Sequence, residues 1–167
     1  MPSVLFVCTA NRFRSPLAAA LLMKTLEEMG IAESWRIGSA GTWATPGQPV
    51  LPGVSDAARG FGIDLSGHRS ARVNRQLLSE HDLILVMQAS QKEALLSEFP
   101  ELGERVYLFS YVVERGSYDI PDSPGSGQGA QEIGAELSAL IQRGLNYICV
   151  LATYLHNTRS GSEPYDG

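Results

Sequence analysis

Near the start of the chain a cysteine is followed, six residues on, by an arginine, a serine and a proline: Cys8-Thr9-Ala10-Asn11-Arg12-Phe13-Arg14-Ser15-Pro16. These residue types at this spacing can bind an oxyanion and attack it. A short loop between a strand and a helix turns successive backbone N–H groups into one concavity. Here they are those of Thr9, Ala10, Asn11, Arg12, Phe13, Arg14 and Ser15, and the helix adds the partial positive charge of its N-terminus. Arg14 can grip two phosphate oxygens with its planar fork, a geometry that lysine lacks. Cys8 then sits at the bottom of a positive pocket, which favours the nucleophilic thiolate. Ser15 can donate a hydrogen bond to that thiolate, easing its later departure as a leaving group, or cap the helix. The Cys-to-Arg spacing is a weak signal by itself; apolar strand, Cys, five residues, Arg-Ser-Pro and helix together make a stronger one. A buried structural cysteine beside a surface arginine is the bland alternative.

The elements that must position this loop are readable from the apolar patterning. Residues 4–7 form a short continuous apolar run, as for a buried parallel strand. Residues 16–29 read as a helix, with Pro16 in its first turn and Gly30 as its stop. A second strand is expected at 35–40, a Gly/Pro/Thr-rich loop at 41–53, and short helices at 54–61 and 74–80. Residues 83–87 are the clearest apolar strand, 90–98 are helical, and 106–109 make a fourth strand. Residues 110–128 hold Pro and Gly clusters without periodicity and read as one long loop, a kind of segment that is often functional. A last helix carries Ile133, Leu137, Leu140, Ile141 and Ile148 at helical spacing. Residues 156–167 are small and polar, a flexible tail, which leaves residues 1–155 as a single domain. Strands alternating with helices predict an α/β fold with a four-stranded parallel sheet flanked by helices. Ligands of such folds sit outside the carboxyl ends of the strands, where Cys8 falls.

Composition narrows the function classes. A length of 167 residues suits one domain, and 44% hydrophobic and 19% charged residues are ordinary for a globular core. No apolar run approaches about 18 residues, so neither a span nor a membrane partner is expected. The first residues lack the charged region and cleavage site of a signal peptide. Only Cys8 and Cys149 are present, which argues against a disulfide scaffold and suits a reducing compartment, the cytoplasm. Three scattered histidines give no metal-ligand spacing, and no cofactor is expected. A net charge of −5 without a Lys/Arg-rich stretch argues against nucleic acid, while leaving room for a local basic pocket.

The Cys-x5-Arg-Ser segment resembles the phosphate-binding loop of the low-molecular-weight protein tyrosine phosphatases, and the resemblance runs over residues 4–151. Ser39-Ala40-Gly41-Thr42 resembles the family's segment after its second strand. Residues 62–70 (Gly-Ile-Asp-Leu-Ser-Gly-His-Arg-Ser) resemble the stretch before the third strand, and residues 82–87 resemble that strand. Family members use an Asp in a late loop as general acid, and Asp119-Ile120-Pro121-Asp122-Ser123-Pro124-Gly125 occupies that place. The resemblance implies Cys8 as nucleophile, Arg14 as clamp and Asp122 as acid, with Asp119 as the fallback. Asn11, Ser15, Ser39 and His68 match the polar residues that brace the loop, and Trp43 is the candidate pocket wall. For Asn11 a loop residue tolerating a left-handed conformation is the overlapping reading; for His68 it is a surface histidine, and for Trp43 a cover over the core. The implied reaction is hydrolysis of phosphate monoesters, above all protein phosphotyrosine, through a phosphocysteine intermediate. A phosphorylated protein is then the partner, and a monomer or weak dimer the expected state.

Three positions depart from the family's pattern. Phe13 stands where many members have a second cysteine, so no protective disulfide with Cys8 can form there. Arg12 stands where tyrosine-specific members often have an apolar residue, and it either adds charge at the pocket rim or is simply solvated. Ser123 stands where the acid is usually followed by Pro. Arsenate reduction on the same scaffold would need further cysteines, and only Cys149 is available. Phosphoarginine hydrolysis is disfavoured by a cationic Arg12, where those members carry a small hydroxyl residue. A catalytically dead phosphate-binding module would be marked by loss of Cys8, Arg14 or the loop Asp, and all three are present.

Overall fold

The computed structural model describes residues 1–122 and 127–161. Its centre is β1 (Ser3–Cys8), whose six residues are all buried. A strand buried on both faces needs apolar side chains in both directions, and the alternation supplies them. Val4, Phe6 and Cys8 join the larger core cluster, and Leu5 and Val7 the smaller one on the opposite face. β2 (Arg36–Gly41), β3 (Leu83–Val86) and β4 (Val106–Leu108) complete an all-parallel sheet of order β2-β1-β3-β4. β1 pairs with β2 from Ser3↔Arg36 to Cys8↔Gly41 and with β3 from Val4↔Leu83 to Val7↔Val86. The predicted fold is therefore the observed one. The chain reverses its direction of travel across the sheet at β1, so the loops leaving β1 and β3 diverge there. This is the crevice where open α/β sheets hold ligands.

The helices are α1 (Arg14–Glu28), α2 (Pro52–Gly60), α3 (Arg75–Ser79), α4 (Ala89–Glu98), α5 (Phe109–Glu114) and α6 (Gly127–Arg159). The larger cluster packs Leu17, Leu22 and Leu26 of α1 and Leu137, Ile141 and Ile148 of α6 on one face of the sheet. Leu78, Leu95, Phe99 and Leu102 cover the other. α5 occupies the start of the segment predicted as one long loop. Phe109, Val112 and Val113 recur at i, i+3 and i+4 and are buried, but six residues are too few for the period to stand out. α5 lies so close to α6 that a Cβ added at Gly144 would collide with Val113.

The predicted boundary of a tail at residue 156 lies inside α6. His156 Nδ1 is 3.1 Å from Asp82 Oδ2, and Arg159 Nη1 donates to Asp82 Oδ1 at 2.7 Å. The Asp82 carboxylate also accepts from the Ser3 N–H at 3.0 Å. Polar residues that looked like a solvated end are the ones that pin the last turn of α6 to the amino ends of β1 and β3. No helix among the described residues is long and apolar enough to cross a membrane.

Candidate active site

In the loop after β1 the carbonyls are tied to the segments around it and the N–H groups are left without partners among the described residues. The carbonyls of Cys8, Thr9, Asn11, Arg12 and Phe13 accept hydrogen bonds from Thr42 N, Trp43 N, His68 Nε2, Leu51 N and Leu17 N, at 2.8 to 3.2 Å. Among the described residues, no backbone N–H of residues 9–15 has an intramolecular partner. A run of N–H groups left free while the carbonyls are tied back can form a concavity for an anion. Gly41 of β2 permits the loop's close approach, because a Cβ there would collide with the Thr9 carbonyl oxygen and lie 3.0 Å from Asn11 N.

Asn11 is the pin of this loop. It is fully buried and holds a left-handed backbone, with φ 56°. Its Nδ2 donates to Ser15 Oγ at 2.8 Å and to Ser39 Oγ at 3.0 Å, and its Oδ1 accepts from Ala71 N at 2.9 Å. His68 Nε2 lies 2.8 Å from the Asn11 carbonyl, which can only accept, so Nε2 carries the proton. The predicted bracing residues Asn11, Ser15, Ser39 and His68 are thus brought together around the loop. Ser15 does not cap α1. Its Oγ lies 2.9 Å from Cys8 Sγ and 3.3 Å from the Ala40 carbonyl. Because Asn11 already donates to this oxygen, the one hydroxyl proton is left for its two neighbouring acceptors, the Cys8 sulfur at 2.9 Å and the Ala40 carbonyl at 3.3 Å.

Arg14 is 1% exposed and lies beneath the loop. Its Nη1 donates to the Ile120 carbonyl at 2.9 Å, and its Nη2 is 3.6 Å from Asp122 Oδ2. Its Nε is buried with no partner among the described residues. Buried guanidinium donors are costly to leave unpaired, so Nε marks a place for an acceptor. Cys8, Ala10, Arg12, Phe13, Arg14, Leu51 and Asp122 line a cavity of about 190 Å³. Among the described residues, Asp122 is its one lining carboxylate. Asp119, the fallback acid, is engaged elsewhere, its Oδ1 accepting from Ala89 N at the start of α4 at 2.8 Å.

Trp43 does not line this cavity. It is 74% exposed, and the Arg72 guanidinium lies 4.8 Å from its ring centroid. Its backbone N–H is spent on the Thr9 carbonyl, and the apolar wall comes from Phe13 and Leu51 instead. Sequence reasoning also missed Gln91. Its Oε1 accepts from Met87 N and Gln88 N at 3.0 and 2.9 Å, and its Nε2 donates to Thr9 Oγ1 at 3.1 Å. Residues 87–91 thereby hold both sides of the site, since Met87 also accepts from Ile120 N at 2.8 Å, beside Asp122. Ser123 and Pro124 lie outside the described residues. Cys149 sits half-buried on α6, and burial pushes its thiol above the ordinary range, away from easy ionisation.

The family model described as "Low molecular weight phosphotyrosine protein phosphatase" matches residues 3–152. The chain is 34% identical over 144 residues to the "Probable low molecular weight protein-tyrosine-phosphatase EpsP" of Ralstonia nicotianae, covering 86% of this chain and 91% of that one. Among solved structures, the low molecular weight protein tyrosine phosphatase from T. tengcongensis superposes with a TM-score of 0.81 at 30% identity, covering 87% of this chain and 99% of that one. A mutant of the YwlE arginine phosphatase, with the active-site cysteine changed to a phosphorylated serine, gives the same TM-score at 28% identity, over 95% and 98%. The class is that of cysteine-dependent phosphatases. Within it, the chain belongs to the low molecular weight protein tyrosine phosphatase family.

Proposed function

We propose that this enzyme hydrolyses phosphotyrosine in proteins, with Cys8 as nucleophile, Arg14 as clamp and Asp122 as general acid and base. The Cys8 thiolate attacks phosphorus. The S–P bond forms as the P–O bond to the leaving group breaks, and Asp122 gives its proton to the departing phenolate oxygen. Asp122, now a carboxylate, takes a proton from water. The water oxygen attacks phosphorus, the S–P bond breaks, and phosphate leaves with the thiolate restored. The loop N–H groups and Arg14 meet the three equatorial oxygens in each transition state, and Ser15 steadies the sulfur as leaving group.

The observation that carries this reading is the run of N–H groups of residues 9–15, unpartnered among the described residues, that follows a buried cysteine. The cavity supports the tyrosine preference. Cys8 lines it and is only 2% exposed, so a long side chain reaches it more readily than serine, and Phe13 and Leu51 offer a ring apolar contact. Arg12 on the same wall disfavours the guanidinium of phosphoarginine by like-charge repulsion. The need for a reduced Cys8 supports a reducing compartment, the cytoplasm. The test is Cys8→Ser, which should abolish turnover of para-nitrophenyl phosphate and phosphotyrosine peptides while still binding phosphate. Retention of more than a few per cent of activity would remove Cys8 from the role.

A further inference from the structure

We propose that Arg12 is a second anion-binding point at the mouth of the cavity and selects phosphotyrosines with an aspartate or glutamate beside them in the substrate chain. The inference rests on the phosphotyrosine reading above and adds the class of sequence around the phosphorylated residue.

Arg12 sits in the middle of the loop, yet its side chain is held. Its Nε donates to the Pro49 carbonyl at 2.7 Å, while its own carbonyl accepts from Leu51 N at 3.1 Å. Two bonds to one short segment fix the arm along the cavity wall, which Arg12 and Leu51 both form. Much of the entropy lost on ordering an arginine is therefore spent before any ligand arrives. Neither terminal nitrogen of Arg12 has a hydrogen-bond partner among the described residues, and no carboxylate stands at ion-pair distance from it. Arg14 differs on each count, being buried with both terminal nitrogens directed at Ile120 and Asp122. One arginine is thus committed to the floor of the cavity, and the other presents an unspent fork at its rim.

The surroundings point the same way. Arg69 and Arg72 adjoin His68 and Ala71, the residues bonded to Asn11, and neither has a carboxylate at ion-pair distance among the described residues. In a chain with net charge −5, three arginines with no carboxylate at ion-pair distance among the described residues stand on the segments that hold one loop. A carboxylate matches the planar fork of Arg12 bidentately. A lysine beside the phosphotyrosine would meet repulsion, so the same residue discriminates in both directions.

The experiment uses three phosphotyrosine peptides of equal length that differ only beside the phosphorylated residue: Glu and Asp, Gln and Asn, or Lys. The wild-type enzyme should favour the acidic over the amide peptide by about tenfold in kcat/KM, mostly through KM. That preference should shrink as salt rises from about 50 to about 500 mM. Arg12→Gln should bring the ratio near one, and Arg12→Glu should turn it towards the Lys peptide. Because the ratio is taken within each protein, a general loss of activity cancels. Should neither variant fold, the salt dependence of the wild-type ratio decides alone. Equal kcat/KM for the acidic and amide peptides, or an undiminished preference in Arg12→Gln, would overturn the role of Arg12 and leave the phosphatase standing. Failure of the wild type to hydrolyse any of the three would overturn both.

Discussion

Asn11 offers the sharpest test of how the loop is held. Asn11→Ala removes both donors and the acceptor of the side chain, leaving Ser39, Ser15 and the Ala71 N–H without it. Each such bond contributes about 1 kcal/mol net. Alanine must also take the left-handed backbone at φ 56°, which costs roughly 1–2 kcal/mol for a residue without a local polar partner. The expected loss is about 4–5 kcal/mol of unfolding free energy, a large share of the 5–15 kcal/mol typical of a domain. Asn11→Gly loses the same hydrogen bonds without the backbone strain, so it should be milder by about 1 kcal/mol. Urea unfolding of the three proteins at pH 7 measures both differences, and turnover of para-nitrophenyl phosphate should fall at least tenfold in each variant. An Asn11→Ala protein within 1 kcal/mol of wild type, or one no less stable than Asn11→Gly, would refute the account of Asn11 as the pin.

Arg14→Lys keeps the charge but cannot serve Ile120 and a phosphate together; kcat/KM should drop by the equivalent of at least about 1.5–3 kcal/mol, and near-normal kinetics would reduce Arg14 to a packing residue. Asp122→Ala should slow phosphotyrosine far more than a substrate with a good leaving group. Asp119→Ala should instead cost about 1 kcal/mol of stability through the start of α4, with no dependence on the leaving group. A leaving-group-dependent loss confined to Asp119→Ala would exchange their roles. Burial holds the His81 imidazole below its ordinary 6.5, with Nδ1 on the Leu77 carbonyl and Nε2 buried unpartnered among the described residues. The neutral form is the one that fits, so this contribution to stability is complete above about pH 6.5 and is lost as pH falls below it. Thermal melts from pH 8 to pH 5 should show that decline in the wild type and a shallower one in His81→Gln; equal slopes would count against it.

Much of the site was legible before the structure, because its logic is local. The continuous apolar run of residues 4–7 marks a strand buried on both faces, and a Cys-loop-Arg-Ser-Pro step out of it can hardly place Cys8 anywhere but the strand's carboxyl end. What failed to show was direction. Trp43 follows β2 as predicted, yet only its backbone turns towards the loop, and the ring points outward to Arg72. Asp119 and Asp122 are three residues apart and chemically alike, and side-chain aim alone separates the helix cap from the cavity wall. Gln91 touches Thr9 across 82 positions, a contact that no periodicity announces. The end of α6 was hidden for a related reason. His156 and Arg159 look solvated in sequence, and only the distant Asp82 makes them structural.

The N–H groups of residues 9–15 divide the labour of recognition between main chain and side chain. Amide dipoles do not titrate, and no point substitution short of proline deletes one. On the proposed reading, the main chain's share in holding a phosphate is therefore a property of the path of the chain, secured by Asn11, Gly41 and the tied-back carbonyls. The side chains at positions 9, 10, 12 and 13 carry none of that duty through their own atoms. Of these, the side chains at positions 10 and 12 are not buried and can drift in charge and size while the grip persists, so a lineage can change what it accepts without first losing the ability to accept anything.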